Sequence, residues 1–198
     1  MRRDELNLHY QQQLAQDPLA QGKAIVPGEG LCDRPRMMLV GEAPGEQESL
    51  QGRPFVGKAG KMLDAFLESI QVKRQEIYIT NTVKIRPTLA GPGGRLSNRP
   101  PNADELALFF PWLMAETAFV NPHLLVTLGN TPLKAFLGDQ AGIGSYHGRS
   151  VMTLLGFPLF ALYHPAAVIY NPALKAVYER DLLRLKDCLA SGAVSSAD

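Results

Sequence analysis

Three short segments of this 198-residue chain set proton-handling or hydrogen-bonding side chains beside small or Gly-rich backbone. They are 41–48 (GEAPGEQE), Thr80-Asn81-Thr82 and Tyr163-His164-Pro165. A carboxamide such as Asn81 offers a donor and an acceptor at once. A neutral imidazole such as His164 can donate to developing negative charge, provided the correct nitrogen holds the proton. A carboxylate such as Glu42 can orient a water and favour a neighbouring positive charge. Glu46 and Glu48 are weaker candidates that would also serve to cap the next segment. The chain has four histidines, His9, His123, His147 and His164, and only the last closes a strand-like segment within such a cluster.

These groups need elements to hold them. Residues 37–40 (MMLV) form a short continuous apolar run closed by Gly41, the pattern of a buried strand. Residues 76–82 (EIYITNT) are rich in β-formers, 124–128 (LLVTL) repeat the buried pattern, and 151–155 and 159–163 flank Gly156-Phe157-Pro158 as further strands. Helical spacing marks 4–15, 57–70, 102–119, 131–137 and 172–189. Asn102 with Glu105 three residues on is a capping box, and Pro111 predicts a kink or break in that helix. Residues 16–35 and 90–101 are loops by their Gly and Pro content, and 191–198 reads as a disordered tail.

Strands and helices alternate, which predicts a three-layer α/β/α sandwich around a central, mainly parallel, four-stranded sheet. The whole chain forms a single domain, its core over about 26–189, with no internal repeat. In such sheets ligands bind beyond the carboxyl ends of the strands, so the three polar segments share one rim.

Bulk properties set limits on partners and compartment. Hydrophobic residues are 45% and charged residues 20%, an ordinary globular balance. No apolar run approaches the ~18 residues of a membrane span, and the polar N-terminus lacks a secretory core, so we expect a cytoplasmic, membrane-free monomer. Cys32 and Cys188 have no metal-ligand spacing and read as ordinary reduced thiols. Net charge is +1, but residues 53–99 carry nine basic and three acidic side chains. That local excess is compatible with a surface that tracks phosphates.

Five motifs then appear in order: GEAPGEQE (41–48), GRPFVGKAG (52–60), YITNTVKIRP (78–87), LVTLGNTPLKAFLG (125–138) and YHPAAVIYNP (163–172). Together they closely resemble the family 4 uracil-DNA glycosylases of the uracil-DNA glycosylase superfamily, over about 26–189. The resemblance implies a base-excision-repair hydrolase acting on uracil in DNA, at the nucleoid. One departure is plain. Members of that family usually hold a four-iron, four-sulfur cluster on four cysteines. Here those positions fall near Gln13 and Gln16, on Ile85, and near Phe109. Such a cluster needs its thiolates, so we expect no cofactor and no metal, with packing in place of the cluster.

The resemblance also distributes roles. Extruding a base from a duplex requires a pocket that sandwiches it and reads its edge. Phe55 would stack on the uracil. Asn81 would match O4 and N3–H and mismatch cytosine twice. Gly41 and Ala43 would hold the base and a water by their main chain, with Glu42 positioning that water. His164 would donate to O2 of the departing uracil anion. Pro44, Gly45 and the helix-opening Gly57-Lys58-Ala59-Gly60 would approach phosphate closely. Lys58, Lys84, Arg86 and Arg99 would pair phosphates. Residues 166–170 resemble a loop that wedges into the minor groove, and Val168 or Ile169 would be the wedge that fills the vacated space.

Three rivals deserve comparison. A relative that captures uracil covalently uses a histidine after the VK motif, and 87–101 contains none. A broader enzyme for hypoxanthine or xanthine would have less use for Asn81. A catalytically silent α/β module would keep the fold and the basic segment but has no need of Glu42, Asn81 and His164 together.

Overall fold

A computed structural model describes residues 3–191. Helix α1 (Arg3–Leu14) leads through an irregular stretch into the short strand β1 (Glu29–Gly30). Strand β2 (Met38–Gly41), helices α2 (Glu46–Gln51) and α3 (Lys58–Ser69) and strand β3 (Tyr78–Asn81) follow. A hairpin of β4 (Thr88–Ala90) and β5 (Leu96–Asn98) precedes helix α4 (Ala103–Val120). Next come β6 (Leu125–Leu128), α5 (Asn130–Leu137), α6 (Ile143–Tyr146), β7 (Ser150–Met152) and β8 (Pro158–Leu162). Helices α7 (Pro165–Tyr170) and α8 (Lys175–Ser191) close the described chain.

The main sheet runs β1-β3-β2-β6-β8-β7. Its centre is the expected set of four parallel strands, β3-β2-β6-β8, and two short antiparallel strands, β1 and β7, are added at the edges. Almost every residue of the four central strands is buried. Both faces are covered, which is why these strands read as continuous apolar runs and not as alternation. One face packs Leu39, Ile79, Val126 and Phe160 against Phe66 and Leu67 of α3 and Tyr178, Leu182 and Leu185 of α8. The other packs Met38, Val40, Leu125 and Leu159 against Leu113 of α4 and Leu133 and Phe136 of α5.

A third cluster joins the N-terminal segment to the molecule. Leu14 and Ala20 meet Val83, Ile85, Phe109 and Trp112 there, and the Tyr10 ring stacks on Trp112 at 5.3 Å between centroids. Helix α1 therefore docks on α4 and on the chain leaving β3.

Several local expectations change. Residues 88–98 form a hairpin that overlaps most of the stretch 90–101 read as loop. Residues 165–170 form a helix where only a loop was expected, because Pro165 suits a first helical position and His164 caps it. Helix α4 is not broken at Pro111: that residue lies on the exposed face, where water can satisfy the carbonyl one turn back. The Asn102–Glu105 capping box is present. Of the tail at 191–198, Ser191 ends α8 and the rest lies outside the described residues. Among the described residues no helix is long and apolar enough to cross a membrane.

Candidate active site

The carboxyl ends of all four parallel strands meet at one rim. Strand β2 leads to Glu42, β3 ends on Asn81, β6 leads to Gly129 and α5, and β8 leads to Tyr163-His164. The chain passes from β2 to β3 on one side and later returns to place β6 on the other side of β2. The site therefore sits at a topological switch point, where loops diverge and leave a crevice.

Gly41 lies at the floor. It pairs in register with Asn81. A Cβ at Gly41 would lie 2.4 Å from Asn81 Oδ1 and 2.5 Å from Phe55 Cζ. Only glycine lets the amide and the ring approach the strand end so closely. Phe55 is 5% exposed and its ring centroid is 6.2 Å from that of His164. Phe55, Asn81 and His164 line one cleft of about 450 Å³, with Ala43, Gly45, Lys58 and Ile169 around its mouth. The side chain of Asn81 is 3% exposed and has no hydrogen bond among the described residues, so its donor and acceptor face the cleft unspent.

Phe55 occupies the left-handed backbone region, φ 53°. For a bulky residue this costs about 1–2 kcal/mol, and the surroundings hold it there. The Arg74 guanidinium donates to Phe55 O (3.0 Å) and Pro54 O (2.6 Å). Glu48 takes Val56 N–H (2.9 Å) and Gly57 N–H (2.7 Å) on one carboxylate oxygen and Gly45 N–H (3.1 Å) on the other. A Cβ at Gly60 would meet Phe55 O at 2.0 Å. Glu48 caps α2 through the Gly45 N–H, as the sequence suggested, and its second oxygen also joins the 41–48 loop to the Phe55 loop. Arg74 was missed: it lies sixteen residues beyond Lys58 in no motif, and its signal is only three-dimensional.

Glu42 lies at the β2–β6 switch, and one of its carboxylate oxygens accepts from the Thr131 hydroxyl at the start of α5. It lines a second cleft with Ala43, Pro44, Asn98, Gly129, Tyr163 and His164, continuous with the first through the residues they share.

His164 lies two residues beyond the end of β8 and caps α7. Its Nδ1 accepts the Ala166 N–H at 3.2 Å. An acceptor at Nδ1 places the proton on Nε2, so the ring presents an Nε2–H donor. Burial pushes its pKa down to about 4, which keeps the ring neutral at neutral pH.

The expected DNA-contact set is only partly placed at the rim. Lys58 is exposed in the first turn of α3 and lines the cleft. A cation there opposes the helix dipole. Arg86 is half-buried, donating to Asn98 (2.7 Å) and Glu46 (3.3 Å). Lys84 must be reassigned: it is fully buried beneath the sheet end and ion-paired to Glu116 at 2.6 Å, so no phosphate can reach it. Arg99 is held by both oxygens of Glu105, at 2.6 and 2.8 Å. The Gly45 amide expected near phosphate is committed to Glu48, and Pro44 is buried in the cleft wall. Val168 packs into the core at 8% exposure, whereas Ile169 is 45% exposed at the mouth. Of the two wedge candidates only Ile169 reaches the surface, one residue round the helix from the inward-facing Val168. Arg53 and Arg74 pair with Glu29, so five of the nine basic residues in 53–99 are neutralised internally.

The sequence profile of the Uracil DNA glycosylase superfamily matches residues 27–185. The chain is 36% identical over 177 residues to a Type-4 uracil-DNA glycosylase of Saccharolobus solfataricus, covering 85% of this chain and 78% of that one. It is 38% identical over 170 residues to one from Pyrobaculum aerophilum, with 81% of each chain covered. It is 36% identical over 148 residues to one from Thermotoga maritima, covering 74% and 72%.

Proposed function

The chain belongs to the uracil DNA glycosylase superfamily, and from that premise we propose that it excises uracil from DNA through the cleft at the β2–β3–β8 rim. It is a hydrolytic uracil-DNA glycosylase of DNA repair. The observation that carries the site assignment is the convergence of Phe55, Asn81 and His164 on one cleft floored by a glycine that tolerates no Cβ.

The extruded base stacks on Phe55, a contact worth about 1–3 kcal/mol. Asn81 accepts from N3–H and donates to O4. Cytosine offers an amino group and a bare N3 at those places, which leaves two buried polar mismatches. The Nε2–H of His164 donates to uracil O2 as the glycosidic bond breaks and negative charge gathers on the base. Neutrality of the ring fits this task, because the donor adds no desolvated cation to an empty pocket. Glu42, steadied by Thr131, positions the attacking water and balances the cationic character of the sugar. Ile169 and Tyr170 stand exposed beside the mouth, where α7 can enter the space the nucleotide leaves. Lys58 faces the same opening and supplies phosphate attraction.

The residues at the family's cluster positions do not suit iron–sulfur ligation. Ile85 and Phe109 are wholly buried apolar side chains beside Trp112, and Gln13 and Gln16 are exposed amides. Cys32 and Cys188 are not joined in a disulfide, and they pack against two other clusters, one on each face of the sheet. We therefore read the enzyme as working without the cluster, its place taken by the Tyr10–Trp112–Phe109 packing.

Incubation with oligonucleotides carrying uracil or hypoxanthine, in chelator and followed by alkaline cleavage, tests the activity. Uracil release is expected. Its absence with pure, folded protein refutes the function, and a faster reaction on hypoxanthine refutes the assigned role of Asn81. Iron analysis of the purified chain is expected to find no stoichiometric iron; four irons per chain would overturn the cluster reading.

A further inference from the structure

Beneath the base-reading strand end lies a charged network that the proposed chemistry does not use. Lys84 and Glu116 are both completely buried. The Lys84 ammonium has three protons, and each has an acceptor: Glu116 Oε2 at 2.6 Å, the main-chain oxygen of Asn81 at 2.7 Å, and the Thr80 hydroxyl. Glu116 also accepts from Tyr78 (2.7 Å) and Thr80 (2.9 Å). Glycine at position 28 leaves room for this, since a Cβ there would lie 2.4 Å from Glu116 Oε1. The Lys84 ammonium also stands 5.7 Å from the centre of the Trp112 ring.

A network this dry is costly and stabilises little compared with an apolar replacement. Its placement gives it a different use. The β2–β3 ladder ends at the Gly41–Asn81 pair, and there the β3 chain turns away from the sheet. Thr82 N–H (2.8 Å), Thr82 Oγ1 (2.9 Å) and Val83 N–H (3.0 Å) all donate back to the carbonyls of Gly41 and Glu42. The carbonyl of Asn81 is left without a strand partner, and Lys84, three residues on, supplies the donor. Lys84 thereby fixes the peptide from which the Asn81 carboxamide projects. The same peptide's N–H anchors the Gly41 floor.

We propose that Lys84 is a positioning residue for base recognition: through its bond to the Asn81 carbonyl, backed by Glu116, it holds the Asn81 amide at the angle uracil requires. This rests on the assignment of Asn81 as the reader of the base, and the test separates the two. Rates of uracil release, free-uracil inhibition and affinity for abasic-product DNA are measured together with Tm for Asn81→Ala, Tyr78→Phe, Lys84→Met and the charge-neutral pair Lys84→Met/Glu116→Gln.

Tyr78→Phe removes a donor to Glu116 but spares the Lys84–Asn81 bond. It is expected to lower Tm while leaving kcat and uracil inhibition unchanged. The paired variant removes both buried charges, recovers most of the Tm lost in Lys84→Met, and yet is expected to lose about tenfold or more in kcat and in uracil affinity. Its binding of abasic-product DNA stays as in wild type. A paired variant with recovered Tm and wild-type kcat and uracil inhibition overturns the proposal, because a merely structural pair predicts that result. Wild-type behaviour of Asn81→Ala would instead remove Asn81 as reader.

Should the methionine variants not fold, Lys84→Cys in a Cys32→Ser/Cys188→Ser background is converted to the aminoethyl-cysteine analogue of lysine in denaturant and refolded. Activity regained with the amine, but not with a neutral thioether of equal length, supports the proposal. Equal activity with both refutes it.

Discussion

Gly41→Ala is the sharpest perturbation of the pocket that a single methyl can make. The backbone of Gly41 lies outside the left-handed region, so alanine adds no conformational strain there. What it adds is a Cβ 2.4 Å from Asn81 Oδ1 and 2.5 Å from Phe55 Cζ. To reach an ordinary 3.4 Å contact, each group must retreat by about 1 Å. Neither has an easy route. Asn81 stands on the peptide held by Lys84 and Thr82, and Phe55 is fixed by Arg74, Glu48 and the close approach of Gly60. Overpacking of this kind costs about 1–3 kcal/mol of stability, a Tm loss of several degrees in a chain this long. Misplacing catalytic groups by about 1 Å costs on the order of 100-fold in rate. Single-turnover uracil release should therefore fall about 100-fold at a temperature well below Tm. Affinity for abasic-product DNA should hold, since the exposed cations are untouched. Gly144→Ala is the control: nothing lies within 4 Å of its Cβ, and it should retain full activity. A Gly41→Ala rate within threefold of wild type would mean that uracil does not bind between Asn81 and Phe55.

Other outcomes follow from the same geometry. His164 should stay neutral with its proton on Nε2 through the neutral range, titrating near pH 4 by nitrogen-15 NMR. Because its folded pKa lies below the ordinary 6.5, its neutral form favours folding above pH 6.5, and that contribution is lost as pH falls towards 4. An Nδ1-protonated ring, or titration near 6.5, would contradict this. Ile169→Ser should slow release from duplex more than from single-stranded DNA with Tm unchanged, whereas Val168→Ala should lower Tm first; the reverse pattern would restore Val168 as the wedge. Lys58→Ala should reduce the slope of log affinity against log salt by about one unit, and an unchanged slope would remove Lys58 from the phosphate contacts.

The legibility of this protein in its sequence was uneven for physical reasons. The four parallel strands were readable because burial on both faces makes them continuous apolar runs, and Asn102–Glu105 because capping is a local interaction. Gly41, Glu42, Phe55, Asn81 and His164 stood out because motifs surround them. Lys84 misled because a cation in a basic stretch reads as solvent-facing. Its partner Glu116 lies 32 residues away on a helix whose apolar face gives no sign of a buried carboxylate. The basic excess of 53–99 misled for the same reason, since its partners Glu29, Glu46, Glu105 and Glu116 all lie outside that stretch. Helix α7 was hidden by its shortness: six residues carry too little periodicity to separate a helix from a loop.

The misreadings share a cause that bears on how the pocket works. Every group assigned to uracil stands just where regular hydrogen bonding runs out, at a strand end or on a loop. There the backbone has orphan donors and acceptors that no ladder serves. In three places a charged side chain serves them: Glu48 takes three N–H groups, Arg74 two carbonyls and Lys84 one. Each charge also bridges segments distant in sequence, so fixing one loop fixes another. A site that rejects cytosine through two unmatched hydrogen bonds gains nothing from those groups if its amide can rotate or its floor can give, because a yielding pocket would adapt to the wrong base. With Asn81 in the reading role proposed for it, discrimination depends on the stiffness of the supports as much as on Asn81. That is why the charges with no obvious chemical task lie directly behind the residues that have one.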